Sequence, residues 1–303
     1  MVVKSGDNVI TGKHEVLEVW KSEFEKLYND DSMSNFDDEH LKYVQQNVPD
    51  MSNVPGPDVL NKMIDLAEVK AAVYRNKLRK APGVDEIPIE VLRNENCIKL
   101  LYTICNQCFI TGTVPTEWKK GIINPIPKSS DKDNRIPTNY RGITLISIPC
   151  KIYCDILNFR LTGWLEEQNI VVDEQNGYRK KRSVLDHLYS LYNVLNNRKN
   201  ARLSTFACYI DLRKAFDNVN RDCLWFKLMN HGIEGRIYNA IRSLYDNVKC
   251  SIRINGYLTP WFNVNNGVKQ GCKISPVLFQ IYINDLAVDI KRLLVVYKLQ
   301  IEI

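Results

Sequence analysis

The stretch that most constrains this chain is residues 205–217, TFACYIDLRKAFD. Its β-branched and aromatic content predicts a strand over 205–212 that delivers Asp211 near its end. A strand this apolar needs a sheet to be buried in. Asp211 must then be solvated, paired or bound to a cation, because a bare buried carboxylate is expensive. Phe216 and Asp217 follow at the expected strand-to-helix corner. Taken alone, Asp211 also suits a surface position and Asp217 a helix cap.

The rest of the chain mixes helical and strand patterns without a regular alternation. Val16, Leu17, Trp20, Phe24 and Leu27 predict a helix over 15–28, and Leu66, Val69, Val73 and Leu78 one over 65–79 that Pro82-Gly83 ends. Further helices are expected through Ile152–Leu165, through Leu185–Leu195, over 221–230 and 235–247, and from Ser275-Pro276 onward. Residues 121–127 read as a strand, and Asn255-Gly256 as the turn of a hairpin over 249–259. Residues 29–60, broken by Asp, Ser, Asn and Pro, read as a linker. The fold class expected is α+β.

Length and charge narrow the function classes. With 303 residues and 45% hydrophobic content there is enough material for a real core. No apolar run approaches the ~20 residues that span a bilayer, and the first residues lack a secretory pattern. A soluble intracellular protein is expected, nuclear or cytoplasmic, with no membrane partner. The net charge of +6 hides an asymmetry. Residues 1–65 hold 6 Lys and 13 Asp and Glu, whereas residues 66–303 hold 35 Lys and Arg against 22 acids. That basic body suits a polyanion, or is an ordinary solvated surface. Nine cysteines are scattered. Cys105-x-x-Cys108 has half a zinc site's spacing but no second pair, which favours reduced thiols.

Five blocks, in order, resemble the reverse transcriptases of non-LTR (LINE-type) retrotransposons. They are KAPGVDEIP (80–88), IPK (126–128) with NYRGITL (139–145), QNGYRKKRSVLDH (175–187), FACYIDLRKAFD (206–217) and GVKQGCKISPVLFQIYINDL (267–286). The resemblance implies a right-hand polymerase: an N-terminal extension of the fingers over 66–120, and fingers with the first part of the palm over 121–293. An acidic connecting segment of helix plus linker (1–65) is expected to precede them and a divergent tail (294–303) to follow, with the thumb expected to be missing. The implied activity is RNA-directed DNA synthesis from deoxynucleoside triphosphates on an RNA template and DNA primer.

The resemblance also implies residue roles. Asp211 is the catalytic carboxylate that holds two Mg²⁺ ions, or Mn²⁺ in their place. Hard oxygen ligands suit such cations, and phosphoryl transfer needs charge neutralisation. Phe216 closes the sugar pocket against a 2′-hydroxyl, although a core Phe reads the same. Lys128 and Arg141 grip the triphosphate as a point charge and a planar fork, or are exposed loop cations. Gln270 and Gly271 lie against the nascent base pair and template. Arg179, Lys180, Lys181 and Arg182 follow a template or primer backbone, or form a solvated loop. Asp217 is expected to be structural.

Three departures stand out. Gly142 and Lys273 occupy positions where the family often has Pro. More seriously, the family's Tyr-Ala-Asp-Asp hairpin has no counterpart here: Tyr297 is followed by Lys298 and Leu299, and Glu302 is the only acid after Asp289. One Asp cannot hold two cations about 4 Å apart. The chain is therefore expected to be a fragment inactive on its own, with a non-catalytic nucleic-acid-binding remnant or a non-functional relic as alternatives.

Overall fold

Helices begin where the sequence supplies a cap. Asp37, Asp65, Asn94, Ser147 and Asn220 each accept a hydrogen bond from a backbone N–H in the first turn that follows, and Asp65 closes a reciprocal box with Glu68. The computed structural model describes residues 2–6, 8–29, 37–48, 54–129 and 131–301, with side chains as far as 292. A short hairpin, β1 (Val3–Ser5) and β2 (Asn8–Ile10), leads into α1 (Lys13–Asn29). Five helices follow: α2 (Asp38–Gln46), α3 (Asp58–Asn61), α4 (Leu66–Arg75), α5 (Ile89–Leu92) and α6 (Glu95–Thr111). Strands β3 (Lys120–Pro127) and β4 (Tyr140–Leu145) precede α7 (Ile148–Glu167), α8 (Val184–Asn200), α9 (Arg221–Asn230) and α10 (Arg236–Ser243). The chain continues through β5 (Lys249–Ile254), β6 (Tyr257–Leu258) and β7 (Phe262–Asn263) into α11 (Ser275–Ile301).

β3 centres the main sheet. It pairs antiparallel with β4, placing Ile126 opposite Arg141, and parallel with β5, placing Ile123 opposite Ile252. β5 pairs antiparallel with β6 and β7. Asn255 and Gly256 turn β5 into β6 with φ of 49° and 86°, the hairpin expected from the sequence. α1 packs on this sheet through Trp20, Phe24 and Tyr28, against Ile123, Cys250, Ile252 and Phe262. The larger core is helical and fully buries Phe109, Tyr153, Leu157, Tyr238 and Leu278.

Within that core Arg160 is 3% exposed and ties α7 to the α3–α4 junction. It donates to both carboxylate oxygens of Glu68 (2.7 and 2.6 Å) and to the carbonyls of Lys62 (2.6 Å) and Met63 (3.0 Å). Burial alone would raise the Glu68 carboxyl, but the Arg160 hydrogen bonds and charge outweigh it and hold Glu68 below the ordinary range.

The α+β class holds, with several differences from expectation. Residues 205–212 are not a strand. They form no regular element and pair with no strand among the described residues, leaving Phe206 97%, Tyr209 80% and Ile210 69% exposed. Apolar content favours a strand, but ladder hydrogen bonds come from a neighbour, and no strand among the described residues pairs with this stretch. α8 forms where predicted, yet buries none of its residues. The stretch 29–60, expected to be a linker, contains α2 and α3, and α2 packs on α9 through Tyr43 and Phe226 at 5.9 Å; 30–36 and 49–53 lie outside the described residues. The helix of 65–79 stops at Arg75, and that of 235–247 at Ser243. α6 and β4 were not anticipated. All nine cysteines are free thiols, Cys208 exposed and Cys150 Sγ 3.9 Å from Cys154 Sγ. No described helix is long and apolar enough to cross a membrane.

Candidate functional site

The five sequence blocks, dispersed over the chain, meet around the loop that precedes α11. Gly83 lies against the Ile146–Ser147 backbone, and the Ser147 hydroxyl donates to Asp85 at 2.6 Å. The Thr144 N–H donates to the Gln270 carbonyl at 2.7 Å. Gln175 donates to the Gln280 carbonyl (3.1 Å) and to Asn284 Oδ1 (2.8 Å) on α11.

Buried cations hold the loop. Arg221 donates to the carbonyls of Gly267 (3.0 Å), Tyr245 (3.0 Å), Val264 (2.8 Å) and Asn266 (3.3 Å), and burial pushes its guanidinium down to about 10. Lys269 donates to the carbonyls of Leu244 (3.0 Å) and Trp118 (3.4 Å). These two cations serve the fold, so the basic excess is not all free surface. Two glycines are demanded by the close approach. A Cβ on Gly267 (φ 81°) would sit 2.6 Å from the Asp217 carbonyl oxygen, and one on Gly271 (φ 107°) 2.9 Å from that of Thr144.

Gln270 projects from this loop onto Asp217. Its Nε2 lies 2.9 Å from each carboxylate oxygen, and the Tyr28 hydroxyl reaches Asp217 Oδ1 at 3.4 Å from α1, 189 residues away in sequence. Asp217 is 6% exposed. Burial raises its carboxyl above the ordinary range, although Gln270, Lys214, Tyr28 and Lys128 all favour the charged form. Lys214 and Lys128 are the cations near this one acid, and other cations crowd them in turn. Lys128 is held below the ordinary amine value by burial, then by Lys132, Arg141 and Arg213, with Asp217 opposing. Lys214 is lowered by burial, then by Lys128 and Arg213. Lys128 is half-buried and donates to the Thr138 carbonyl at 2.8 Å, while Arg141 is exposed on β4. Mutually repelling cations on a partly desolvated surface are suited to a multiply charged anion.

The remaining residues fall in two settings. Phe216 stacks on Phe279 of α11 (4.9 Å, 17°), and Tyr178 meets its edge at 6.2 Å. Asp211 lies in the exposed, unpaired stretch, and the structure does not bring it to Gln270 or Arg141 through any contact among the described residues. No three acidic, His or Cys side chains converge to hold a metal among the described residues. These residues by themselves therefore do not fit the oxygen cage that Mg²⁺ takes.

The basic run divides. Arg179 is 9% exposed and makes a bidentate pair with Glu166 (2.8 and 2.7 Å). Arg182 pairs with Asp173 at 2.7 Å. Lys180 lies over the Phe159 ring at 4.9 Å, and Lys181 is exposed. Only the two lysines face solvent without an acidic partner among the described residues.

Sequence reasoning passed over Tyr28, Arg213 and Lys214, and gave Asp217 no part in the site. Arg213-Lys214 was readable as two adjacent cations inside the fourth block. Tyr28 carries no signal, because only the fold brings α1 there. Both Pro departures find partners. A Cβ on Gly142 would meet Phe24 at 2.8 Å and the Tyr28 hydroxyl at 3.3 Å, so α1 occupies the space. Lys273 pairs with Asp155 at 3.0 Å.

Comparison with known proteins gives the same direction. Residues 126–298 match the sequence profile of the family described as Reverse transcriptase (RNA-dependent DNA polymerase). The chain is 25% identical over 226 residues to the Transposon TX1 uncharacterized 149 kDa protein of Xenopus laevis, covering 74% of this chain and 17% of that protein. It is 24% identical over 248 residues to the Probable RNA-directed DNA polymerase from transposon X-element of Drosophila melanogaster (81% and 27%). To the Retrovirus-related Pol polyprotein from type-1 retrotransposable element R2 of Popillia japonica it is 28% identical over 207 residues (68% and 28%). The chain thus spans less than a third of the length of each.

Proposed function

Because the chain belongs to the reverse transcriptase family, we propose that it is the fingers and first part of the palm of an RNA-directed DNA polymerase from a non-LTR retrotransposon. The observation that carries this reading is a cluster of cations: Lys128 and Lys214 lie near Asp217, which Gln270 holds, and Lys132, Arg141 and Arg213 are close enough to Lys128 to repel it. The triphosphate of a deoxynucleotide is the anion proposed for it. Arg141 offers a planar donor pair to phosphate oxygens, Lys128 and Lys214 offer point charges, and the anion relieves their mutual repulsion. Phe216, backed by Phe279, is proposed to line the sugar side. Lys180 and Lys181 are the proposed contacts to a template or primer backbone.

Asp211 is proposed as one ligand of the catalytic Mg²⁺ ions. No described residue supplies it an acidic partner, and the chain by itself is proposed to bind nucleotide without turning it over. The test is fluorescence anisotropy of a labelled deoxynucleoside triphosphate titrated with the purified chain. Removing one charge-assisted contact by Arg141→Ala or Lys128→Ala should weaken binding about tenfold, with little effect from Lys70→Ala on the distant α4. Equal affinity in all three variants would reject the site.

A further inference from the structure

Gln270 is the one site residue whose orientation the structure decides by chemistry. An ionised carboxylate only accepts hydrogen bonds, so Asp217 must face the amide nitrogen of Gln270 and not its oxygen. Nε2 at 2.9 Å from both carboxylate oxygens meets that condition. The backbone on either side is fixed as well. The Gln270 carbonyl accepts from Thr144, Val268 N–H donates to Phe216 (2.8 Å), and Gly267 N–H donates to Val219 (2.8 Å). Oε1 remains as the group that the loop can offer outward.

Asp217 is itself held from α1. Tyr28 reaches its Oδ1, and the Tyr28 carbonyl accepts from Asn266 N–H at 3.0 Å. Asn29 grips the same loop from both sides: its Nδ2 donates to the Asn263 carbonyl (2.8 Å) and its Oδ1 accepts from Asn265 N–H (3.2 Å). The end of α1 also leaves no room for a side chain at position 142, beside Arg141. One helix of the acidic N-terminal segment thus touches the Gln270 loop, the carboxylate beneath it and the strand carrying Arg141.

We propose that Asp217 and Tyr28 are positioning residues: Asp217 locks the amide of Gln270 with its oxygen outward, and Tyr28 locks Asp217, making α1 a working part of the nucleotide site. The effect on nucleotide rests on the reading proposed above; the locking of the amide does not. Protonation of Asp217 would let the acid donate to Oε1 and turn the amide over, with Tyr28, Lys214 and Lys128 the charged or titratable groups facing it. Burial raises the Asp217 carboxyl, so the lock should weaken at mildly acidic pH.

Two measurements on the 303-residue chain decide the matter. The first is the side-chain amide signal of Gln270 in ¹⁵N-glutamine-labelled protein, identified by its loss in Gln270→Ala. In the wild type it should shift on acidification. In Asp217→Asn, whose own amide can face either way, and in Tyr28→Phe it should move and broaden at neutral pH. A signal unchanged in both variants overturns the lock. The second is a double-mutant cycle on labelled deoxynucleotide binding. Asp217→Asn and Gln270→Ala should each weaken binding about 5- to 10-fold, and the double variant should be no weaker than Gln270→Ala. Additive losses, or no loss in Asp217→Asn, overturn the positioning role. If the wild type binds no nucleotide, the proposed function fails while the amide signal still decides the lock.

Discussion

α7 and α8 carry the same kind of sequence and meet opposite fates. Each repeats Leu or Ile at helical spacing, α7 through Ile152, Ile156, Leu161 and Leu165, and α8 through Leu185, Leu188, Leu191 and Leu195. α7 is the spine of the helical core, with Ile152, Tyr153, Leu157 and Leu161 fully buried. α8 buries nothing, and the stretch after it holds Phe206 and Tyr209 in solvent. Periodicity therefore specifies a helix and its apolar face, but the partner comes from elements distant in sequence. For α7 those elements are α3, α4 and α11; for α8 no described element buries it. The residues proposed to act divide along the same line. Gln270, Arg141, Lys128 and Phe216 sit in or on the body, whereas Asp211 belongs to the exposed arm.

The contrast can be broken in several ways. Arg160→Ala should cost the most, about 3–5 kcal/mol in denaturant unfolding, since it strips a buried carboxylate and several carbonyls of their partner. Next, Leu157→Ala in α7 should cost about 2–5 kcal/mol. Leu188→Ala, at the corresponding kind of position in α8, should change stability by less than about 0.5 kcal/mol. Similar losses from both leucines would mean that the arm is packed in solution. Hydrogen exchange should give the same answer, with amides of 184–212 exchanging far faster than those of 148–165.

The smallest effects concern pH, and two acids should pull opposite ways. Glu68 is held below its ordinary value, so its contribution is present above about pH 4.5 and is lost as pH falls through the lowered value. Asp217 is raised, so its contribution is present below its ordinary value of 3.8 and is lost as pH rises through the raised one. The stability of Asp217→Asn relative to wild type should accordingly rise as pH climbs above 3.8, and that of Glu68→Gln should fall as pH climbs to about 4.5 and then stay level. Melting curves of the three proteins across these pH values check both signs.

Much of the body was legible in advance. The apolar stripes of α1 and α11, the Asn255-Gly256 hairpin and the five blocks all read correctly as local signals, because helix period, cap and turn are set within a few residues. The strand expected over 205–212 failed because a strand is a relation between two segments, and composition describes only one of them. Among the candidate site residues, Lys128, Arg141, Phe216 and Gln270 could be singled out by motif, their roles remaining proposals. Tyr28 could not, since its role exists only through the packing of α1 on the sheet. Arg179 illustrates the opposite case: a residue that looked available for phosphate is bound to Glu166 instead.

The central proposal is a body that grips nucleotide beside an Asp211 with no acidic partner among the described residues. Primer extension on an RNA template in Mg²⁺, by the purified chain and its Asp211→Asn variant, tests it most directly. The predicted result is nucleotide bound by both proteins and extension by neither. Incorporation by the wild-type chain that disappears in Asp211→Asn would contradict it.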